Sequence, residues 1–289
     1  MIEWPIGLST GCFYKTDFFE CLPWIDQGGF HLLEICSYPT HLDYHDEDRL
    51  KRAATALRER HMEAFSFHAP FANHIDVTSY DPDERLRAEH ELMQAVDAAA
   101  RLEARYLVLH PGPESDQHPP THERYDRLLR ASEILRRVAS RCAFHGFDIA
   151  LENMLPHLLF GHVRDLLWLL GDIPLNNVGT CLDTGHAFLS GDLDVVLHKL
   201  SGHLRILHAH DNLGHRDDHL TPGDGHIDWY RLVKHLVWTR FHGCIILELG
   251  GRQPADPEKT LRAARRGRAH FKQQVRRYIG ETGDEHRRE

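Results

Sequence analysis

Eight short apolar or β-rich runs, separated by segments of helical periodicity, constrain this chain more than any other feature. They are IGLS (6–9), LLEIC (32–36), EAFSFH (63–68), ARYLVLH (104–110), DIALEN (148–153), VGTCLD (178–183), LRILHAH (204–210) and CIILEL (244–249). Runs this apolar are not half-exposed strands; they suit a parallel sheet buried on both faces. Among the intervening segments, 82–102 is the clearest helix, with Pro82 suited to the first turn and Leu86, Leu92, Met93, Val96 and Ala100 recurring on one side. A second spans 121–144, with Leu128, Leu129, Ile134, Leu135 and Val138 as its stripe. Shorter helices are expected over 17–27, 47–60, 162–170, 192–200, 228–238 and 257–278. Eight strands, each followed by a helix, predict an α/β fold, a single (β/α)8 TIM barrel with its active site at the C-terminal ends of the strands. A doubly wound open sheet competes, but no glycine-rich dinucleotide fingerprint follows the first run.

A chain of 289 residues is within the range of one such barrel, here taken as 1–279 with 280–289 (GETGDEHRRE) as a frayed tail. The formal charge of −9, from 34 basic and 43 acidic residues, means that attraction to a polyanion would need a local patch, so nucleic acid is not the expected partner. Positive charge does gather on the last helix, at Lys259, Arg262, Arg265, Arg266, Arg268, Lys272, Arg276 and Arg277; a solvated outer helix is the favoured reading and an anionic partner the other. Six cysteines lie far apart without a paired spacing, as buried reduced thiols of a cytoplasmic protein do. MIEWPIGLSTG is not a secretory leader, and no run of eighteen apolar residues occurs, so no membrane association is expected. The Gly7-Leu-Ser9-Thr-Gly11 pattern has the form of a nucleophile elbow, but is read as the tight turn after the first strand.

The chemistry lies at the ends of the runs. Strands three to eight end at His68, His110, Glu152, Asp183, His208 and Glu248, and a parallel barrel gathers all of these at one mouth. Carboxylates and imidazoles buried together without partners are costly, and a cation relieves the cost. The ligand types suit zinc or manganese, with magnesium or cobalt as alternatives. Histidine, at 25 residues, is abundant throughout, so position has to select among them.

HAPF (68–71), LHPG (109–112), LEN (151–153), LDTGHAF (182–188), the His208-x-x-Asp211 pair, DDHLTPGDGHIDW (217–229) and LEL (247–249) together resemble the xylose isomerase-like TIM-barrel superfamily over nearly the whole chain. That superfamily includes sugar and sugar-phosphate isomerases and epimerases, inosose dehydratase, hydroxypyruvate isomerase and the endonuclease IV type of abasic-site nuclease. The resemblance to the isomerase branch implies one divalent ion on Glu152, Asp183, His208 and Glu248. Glu152 and Glu248 would act as an acid and base pair through an enediolate, and His186 would touch substrate. The resemblance to the endonuclease IV branch implies up to three ions. The first would sit on His68, His110 and Glu152, the second on Glu152, Asp183, His208 and Glu248, and the third on His186, Asp217 and His219. The loops after strands one to three (GCFYKTDFFE, SYPTHLDYHDEDR, APFANHIDVTSYD) are aromatic and acidic, and LELGG departs from the threonine-proline ending of the nuclease. A small sugar, sugar phosphate or polyol is therefore the expected substrate, with phosphodiester hydrolysis as the alternative. A homo-oligomer is compatible with the chain.

Further positions carry weaker expectations. Asn153 and Asn73 are expected to bind substrate beside His186, with Trp229 as a further candidate; for His226, Trp229, Trp24 and Phe71, packing in the core or at the rim is as strong an expectation as lining a sugar pocket. Glu34 points either to the mouth or into a structural ion pair, the latter favoured. His210, close beside His208, is expected to face the opposite way, and Asp211 to orient a ligand histidine from behind.

Overall fold

The computed structural model describes residues 3–114, 119–250 and 256–285. Eight strands run in chain order: β1 (Ile6–Ser9), β2 (Leu32–Cys36), β3 (Glu63–His68), β4 (Tyr106–Leu109), β5 (Asp148–Glu152), β6 (Val178–Asp183), β7 (Leu204–Ala209) and β8 (Cys244–Leu247). Each pairs in parallel with the next and β8 returns to β1, closing a barrel. The helices are α1 (Phe18–Gln27), α2 (Glu47–Glu59), α3 (Pro82–Arg101), α4 (Thr121–His145), α5 (Val163–Asp172), α6 (Thr184–Leu189), α7 (Leu193–Leu200), α8 (Trp229–Trp238) and α9 (Pro257–Glu285).

Local chemistry explains where these helices begin. Asp17, Asp46, Asp81, Asp183, Asp192 and Asp228 each accept a hydrogen bond from a backbone N–H of the first turn, satisfying donors that the helix itself leaves open. Pro82 then fills the first turn of α3. Gly146 ends α4 at φ +85°, a left-handed conformation that only glycine adopts cheaply.

Three differences from the sequence reading matter. β4, β7 and β8 stop before His110, His210 and Glu248, because the chain leaves the ladder at the mouth and the polar tips ride on the loops. Helix α6 was not anticipated; it starts on the Asp183 cap itself. Helix α9 runs on through Glu285, so the tail expected from 280 is helical that far, while 286–289 lie outside the described residues.

The core has two compartments. A large one lies between strands and helices. A small one, Phe65, Val108, Ala150, Cys181, Ile206, Cys244 and Ile246, plugs the barrel interior. Side chains alternate along a strand, so residues two beyond this plug also point inward, one layer nearer the mouth. From Ala150, Cys181, Ile206 and Ile246, that rule leads to Glu152, Asp183, His208 and Glu248.

The basic face of α9 is largely spent on structure. Arg265 donates to the carbonyls of Gln27 and Gly28 at the end of α1, and Arg268 to those of Gly28 and Gly29 while lying over the Phe30 ring. Arg266 pairs with Asp224. All six cysteines are buried free thiols. Among the described residues, no helix is long and apolar enough to cross a membrane.

Candidate metal centre

Glu152, Asp183, His208 and Glu248 project from the ends of β5, β6, β7 and β8, and each offers a ligand atom within 4.8 Å of the others. His208 is fully buried at the centre. Its Nδ1 lies 3.2 Å from Glu152 Oε1 and 3.3 Å from Glu248 Oε2. Its Nε2 lies 2.9 Å from Glu34 Oε2, which also accepts from Ser66 Oγ at 2.9 Å. With the Nε2 proton held by Glu34, Nδ1 is the nitrogen turned toward the carboxylates, as a metal-binding imidazole needs.

The same device recurs around the mouth. His68 donates from Nδ1 to the Ala69 carbonyl and turns Nε2 to Glu152, 3.2 Å away. His110 holds Glu114 with Nδ1 (2.6 Å) and turns Nε2 to Glu152 (3.4 Å). His186 donates to the Asn153 carbonyl and turns Nε2 to Asp217 (3.5 Å). His219 donates to the Glu248 carbonyl and turns Nε2 to the same Asp217 oxygen (2.8 Å). Among the described residues, three donor groups result: His68, Glu152 and His208; Glu152, Asp183, His208 and Glu248; and His210, Asp217 and His219. A centre of buried carboxylates and imidazoles at this spacing fits one or more divalent cations of the zinc or manganese type.

Electrostatics at the centre follow from this crowding. Burial disfavours the charged form of His110, but Glu152 and the hydrogen bond to Glu114 outweigh it and push the imidazole up to about 10. His219, opposed by burial but held by Asp217 and Glu248, is pushed up to about 9. His208 is likewise raised. Burial works to raise Glu152 and Glu248, but His208 beside both holds them well below the usual carboxylate range.

Above the centre lie two adjoining cavities of about 260 and 110 Å³ that share His68, Phe71, Asp217, His219 and Glu248. Tyr14, Tyr38 and Phe71 form an aromatic wall, with Phe71 stacked on His110 at 4.7 Å between ring centroids. His110, Glu114, Glu152 and His186 line the inner cavity.

Several sequence expectations are corrected here. His210 does not face away from His208: residues two apart on an extended strand share a face, and the alternation rule itself places both inward. His210 is fully buried, with Nε2 2.7 Å from Asp183 Oδ2 and its ring stacked 4.0 Å from that of His219. It joins Asp217 and His219 in the donor group where His186 was expected. Asp211 does not orient a ligand histidine. Its carboxylate accepts from the backbone N–H groups of Asn212, Gly223 and Ile227 and from the Trp229 indole, folding the β7–α8 loop back over the mouth. Trp229 is thereby buried against Phe271, without access to the cavities. Trp24 packs on Phe13, and His226 is exposed outside the cavity lining. The Asn153 side chain is committed to the backbone of Asp183, accepting from its N–H (2.8 Å) and donating to its carbonyl (3.1 Å), so it positions Asp183 instead of pointing into the cavity. Asn73 is exposed in the segment after β3 and does not line either cavity. Phe71 and His186 do line them. Glu34 does form the buried ion pair within the barrel that was favoured for it, and its partner is His208, whose Nε2 it holds from behind at 2.9 Å. The signal for it was available, since Glu34 is two residues from the inward-facing Leu32 on β2.

Known proteins reinforce the fold. The chain is 28% identical over 259 residues to the protein MJ1311 of Methanocaldococcus jannaschii, covering 86% of this chain and 84% of that one. It is 28% identical over 176 residues to a probable endonuclease 4 of Mycobacterium leprae, covering 57% of this chain and 66% of the relative. A solved D-tagatose 3-epimerase-like protein superposes with a TM-score of 0.83 at 23% identity, covering 96% of this chain and 99% of its own. A family model described as xylose isomerase-like TIM barrel matches residues 23–274. With that match across most of a closed eight-stranded barrel, the chain belongs to the xylose isomerase-like TIM-barrel family.

Proposed function

We propose that the protein is a metal-dependent epimerase or isomerase of a small sugar or related polyol. The observation that carries this reading is the pair of carboxylates, Glu152 and Glu248, on either side of His208 at the floor of a small cavity. Bound at Glu152, Asp183, His208 and Glu248, a divalent ion would polarise a carbonyl and its neighbouring hydroxyl and make the adjacent C–H acidic.

The chain's own residues account for the rest. In this reading Glu152 and Glu248 would take a proton from one face of a carbon and return one to the other, the requirement for inverting a stereocentre. Together the adjoining cavities, about 260 and 110 Å³, reach only the lower end of the roughly 300–1,000 Å³ of sites for drug-sized ligands, which suits a small polyol. Tyr14, Tyr38 and Phe71 offer apolar faces to a sugar's C–H groups, and the ring of imidazoles and carboxylates offers hydrogen bonds to its hydroxyls. The test is to incubate the metal-loaded protein with a panel of ketoses in D2O and follow proton signals. Deuterium should enter next to the carbonyl, and Glu152→Gln and Glu248→Gln should each abolish the exchange. Exchange that survives both substitutions would remove the pair from the mechanism.

Phosphodiester hydrolysis is the second reading, favoured by the likeness to endonuclease 4 and by His68 and His110 beside Glu152. The acidic and aromatic surroundings of the mouth weigh against a nucleic acid substrate. Cleavage of an abasic duplex by the zinc-loaded protein, without deuterium exchange in any ketose, would reverse the order of the two readings.

A further inference from the structure

On the epimerase or isomerase reading, which this step presupposes, we infer that the substrate is a 1-deoxyketose, a methyl ketone whose methyl group enters the inner cavity beside Leu155, Leu158 and Phe71. Cavity size sets the direction in which a ketose lies. The outer cavity is about 260 Å³ and the inner one about 110 Å³, and Glu248 lines both. A 2-ketose whose carbonyl sits beside Glu152 and Glu248 has an arm of one carbon and a longer arm. The larger outer cavity takes the longer arm, so C1 goes inward.

The lining of the inner cavity suits a methyl better than a hydroxymethyl. Its apolar members come from two loops: Phe71 follows β3, and Leu155 and Leu158 follow β5. His110 and His186 line the inner cavity and not the outer one, and both nitrogens of each ring are already engaged. His110 is held by Glu114 and Glu152, His186 by the Asn153 carbonyl and Asp217. A hydroxyl on C1 could donate to Glu114 but would find no spare N–H from these rings for its own oxygen, and a polar group left short of partners in an enclosed site is costly. A methyl group needs no such partner and gains by packing on the leucines.

The backbone of the β5–α5 loop holds those leucines in place. Phe160 is fully buried at φ +86°, a left-handed conformation that a bulky residue adopts only when its surroundings impose it, and such strain clusters at ligand sites. Its ring fills the space beside Gly112, where a Cβ would lie 2.7 Å from Phe160 Cδ2. The Met154 N–H donates to the Phe160 carbonyl at 3.4 Å and the Leu158 N–H to that of Leu155 at 2.9 Å, so segment 154–160 closes on itself. Gly161 permits the closure, since a Cβ there would lie 2.2 Å from the Leu155 carbonyl oxygen. Phe160 is thus the anchor of a loop that presents Leu155 and Leu158 to the cavity.

The experiment gives the metal-loaded full chain the D-ketohexose epimers in D2O, each beside its 1-deoxy and its 6-deoxy counterpart, and reads deuterium uptake at C3 as kcat/KM. The 1-deoxy compound should exceed its parent by roughly 10- to 100-fold, the discrimination that a small apolar pocket achieves against an added hydroxyl. The 6-deoxy compound, altered only in the outer cavity, should behave like the parent. Leu155→Gln, at a half-buried position that tolerates a polar side chain, supplies an amide to the C1 hydroxyl and should bring the ratio of 1-deoxy to parent close to one. Taking that ratio in both proteins cancels the intrinsic reactivity of each sugar, and should the variant fail to fold, the wild-type comparison carries the test. Parents exchanged as fast as their 1-deoxy counterparts, or a preference for the 6-deoxy series, would overturn the methyl-ketone assignment and leave the proposed function standing. A 1-deoxy preference unchanged in folded Leu155→Gln would overturn the leucine wall as its source. No exchange in any of these sugars would overturn both the assignment and the proposed function.

Discussion

Replacing Glu34 by glutamine is the most informative single perturbation of the barrel interior, because it changes one charge at nearly constant volume. Glu34 is fully buried, and its Oε2 accepts from His208 Nε2 and Ser66 Oγ, both at 2.9 Å, while Oε1 is buried without a partner. The glutamine oxygen can keep the contact with His208, but as a neutral acceptor, and the new amide N–H2 then occupies the position where nothing accepts. A hydrogen bond to a charged acceptor contributes roughly 1.5–3 kcal/mol and a neutral one roughly 0.5–1.5, so the loss is on the order of 1–2 kcal/mol. If His208 is a ligand through Nδ1, that loss passes to the metal as roughly a 5- to 30-fold weaker affinity. Partners behind metal-binding histidines behave in this way, with typical effects of roughly 10- to 100-fold. The assay is competition for Zn²⁺ between the full chain and a chromophoric chelator, with circular dichroism to show that the fold is retained. A correctly folded Glu34→Gln protein with unchanged zinc affinity would refute the assignment of His208 Nδ1 as a ligand held from behind by Glu34.

Other outcomes follow from the same geometry. Gly185→Ala places a Cβ 2.1 Å from His210 Cε1, so the ring must retreat by more than an ångström from its bond to Asp183; a loss of about 1–3 kcal/mol in stability is expected by chemical denaturation. Asp211→Asn weakens a carboxylate that accepts four hydrogen bonds, and should cost about 2–4 kcal/mol and make the β7–α8 loop the first site of proteolytic cleavage. For the metal-free protein, His110 is raised from 6.5 to about 10. Its contribution is therefore complete below 6.5 and lost as pH rises through about 10, so thermal melts should fall over that window. His110→Gln should flatten that decline. Glu248, held below its ordinary value of 4.5, contributes stability above that pH that is lost on acidification, giving the opposite limb.

The barrel was legible because its signal is redundant. Uniformly apolar runs such as VGTCLD and CIILEL can be buried on both faces only in a parallel sheet, and the helices between them leave few topologies. The ligand candidates were legible for the same reason: strand direction alone sends Glu152, Asp183, His208 and Glu248 to one mouth. What the chain order does not reveal is which way a side chain turns once the ladder ends. Trp229 looked like a pocket aromatic, but the Asp211 carboxylate that it donates to lies on the packed side of the loop. Asn153 follows the candidate ligand Glu152 in LEN and so resembles a substrate contact, yet its amide closes the gap between β5 and β6. Glu34 and His210 are different, since each lies two residues beyond an inward-facing strand residue, Leu32 on β2 and His208 on β7. His210 shares the inward face of His208 because side chains alternate with a period of two.

In the proposed mechanism Glu152, Asp183, His208 and Glu248 form one divalent metal site, with His208 Nδ1 facing the ion. It is tested most directly by anomalous scattering from crystals of the zinc-loaded protein, recorded on both sides of the zinc absorption edge. The account predicts an edge-dependent peak enclosed by those four side chains, with His208 Nε2 still on Glu34. An edge-dependent peak elsewhere with none between them, or one approached by His208 through Nε2, would contradict it.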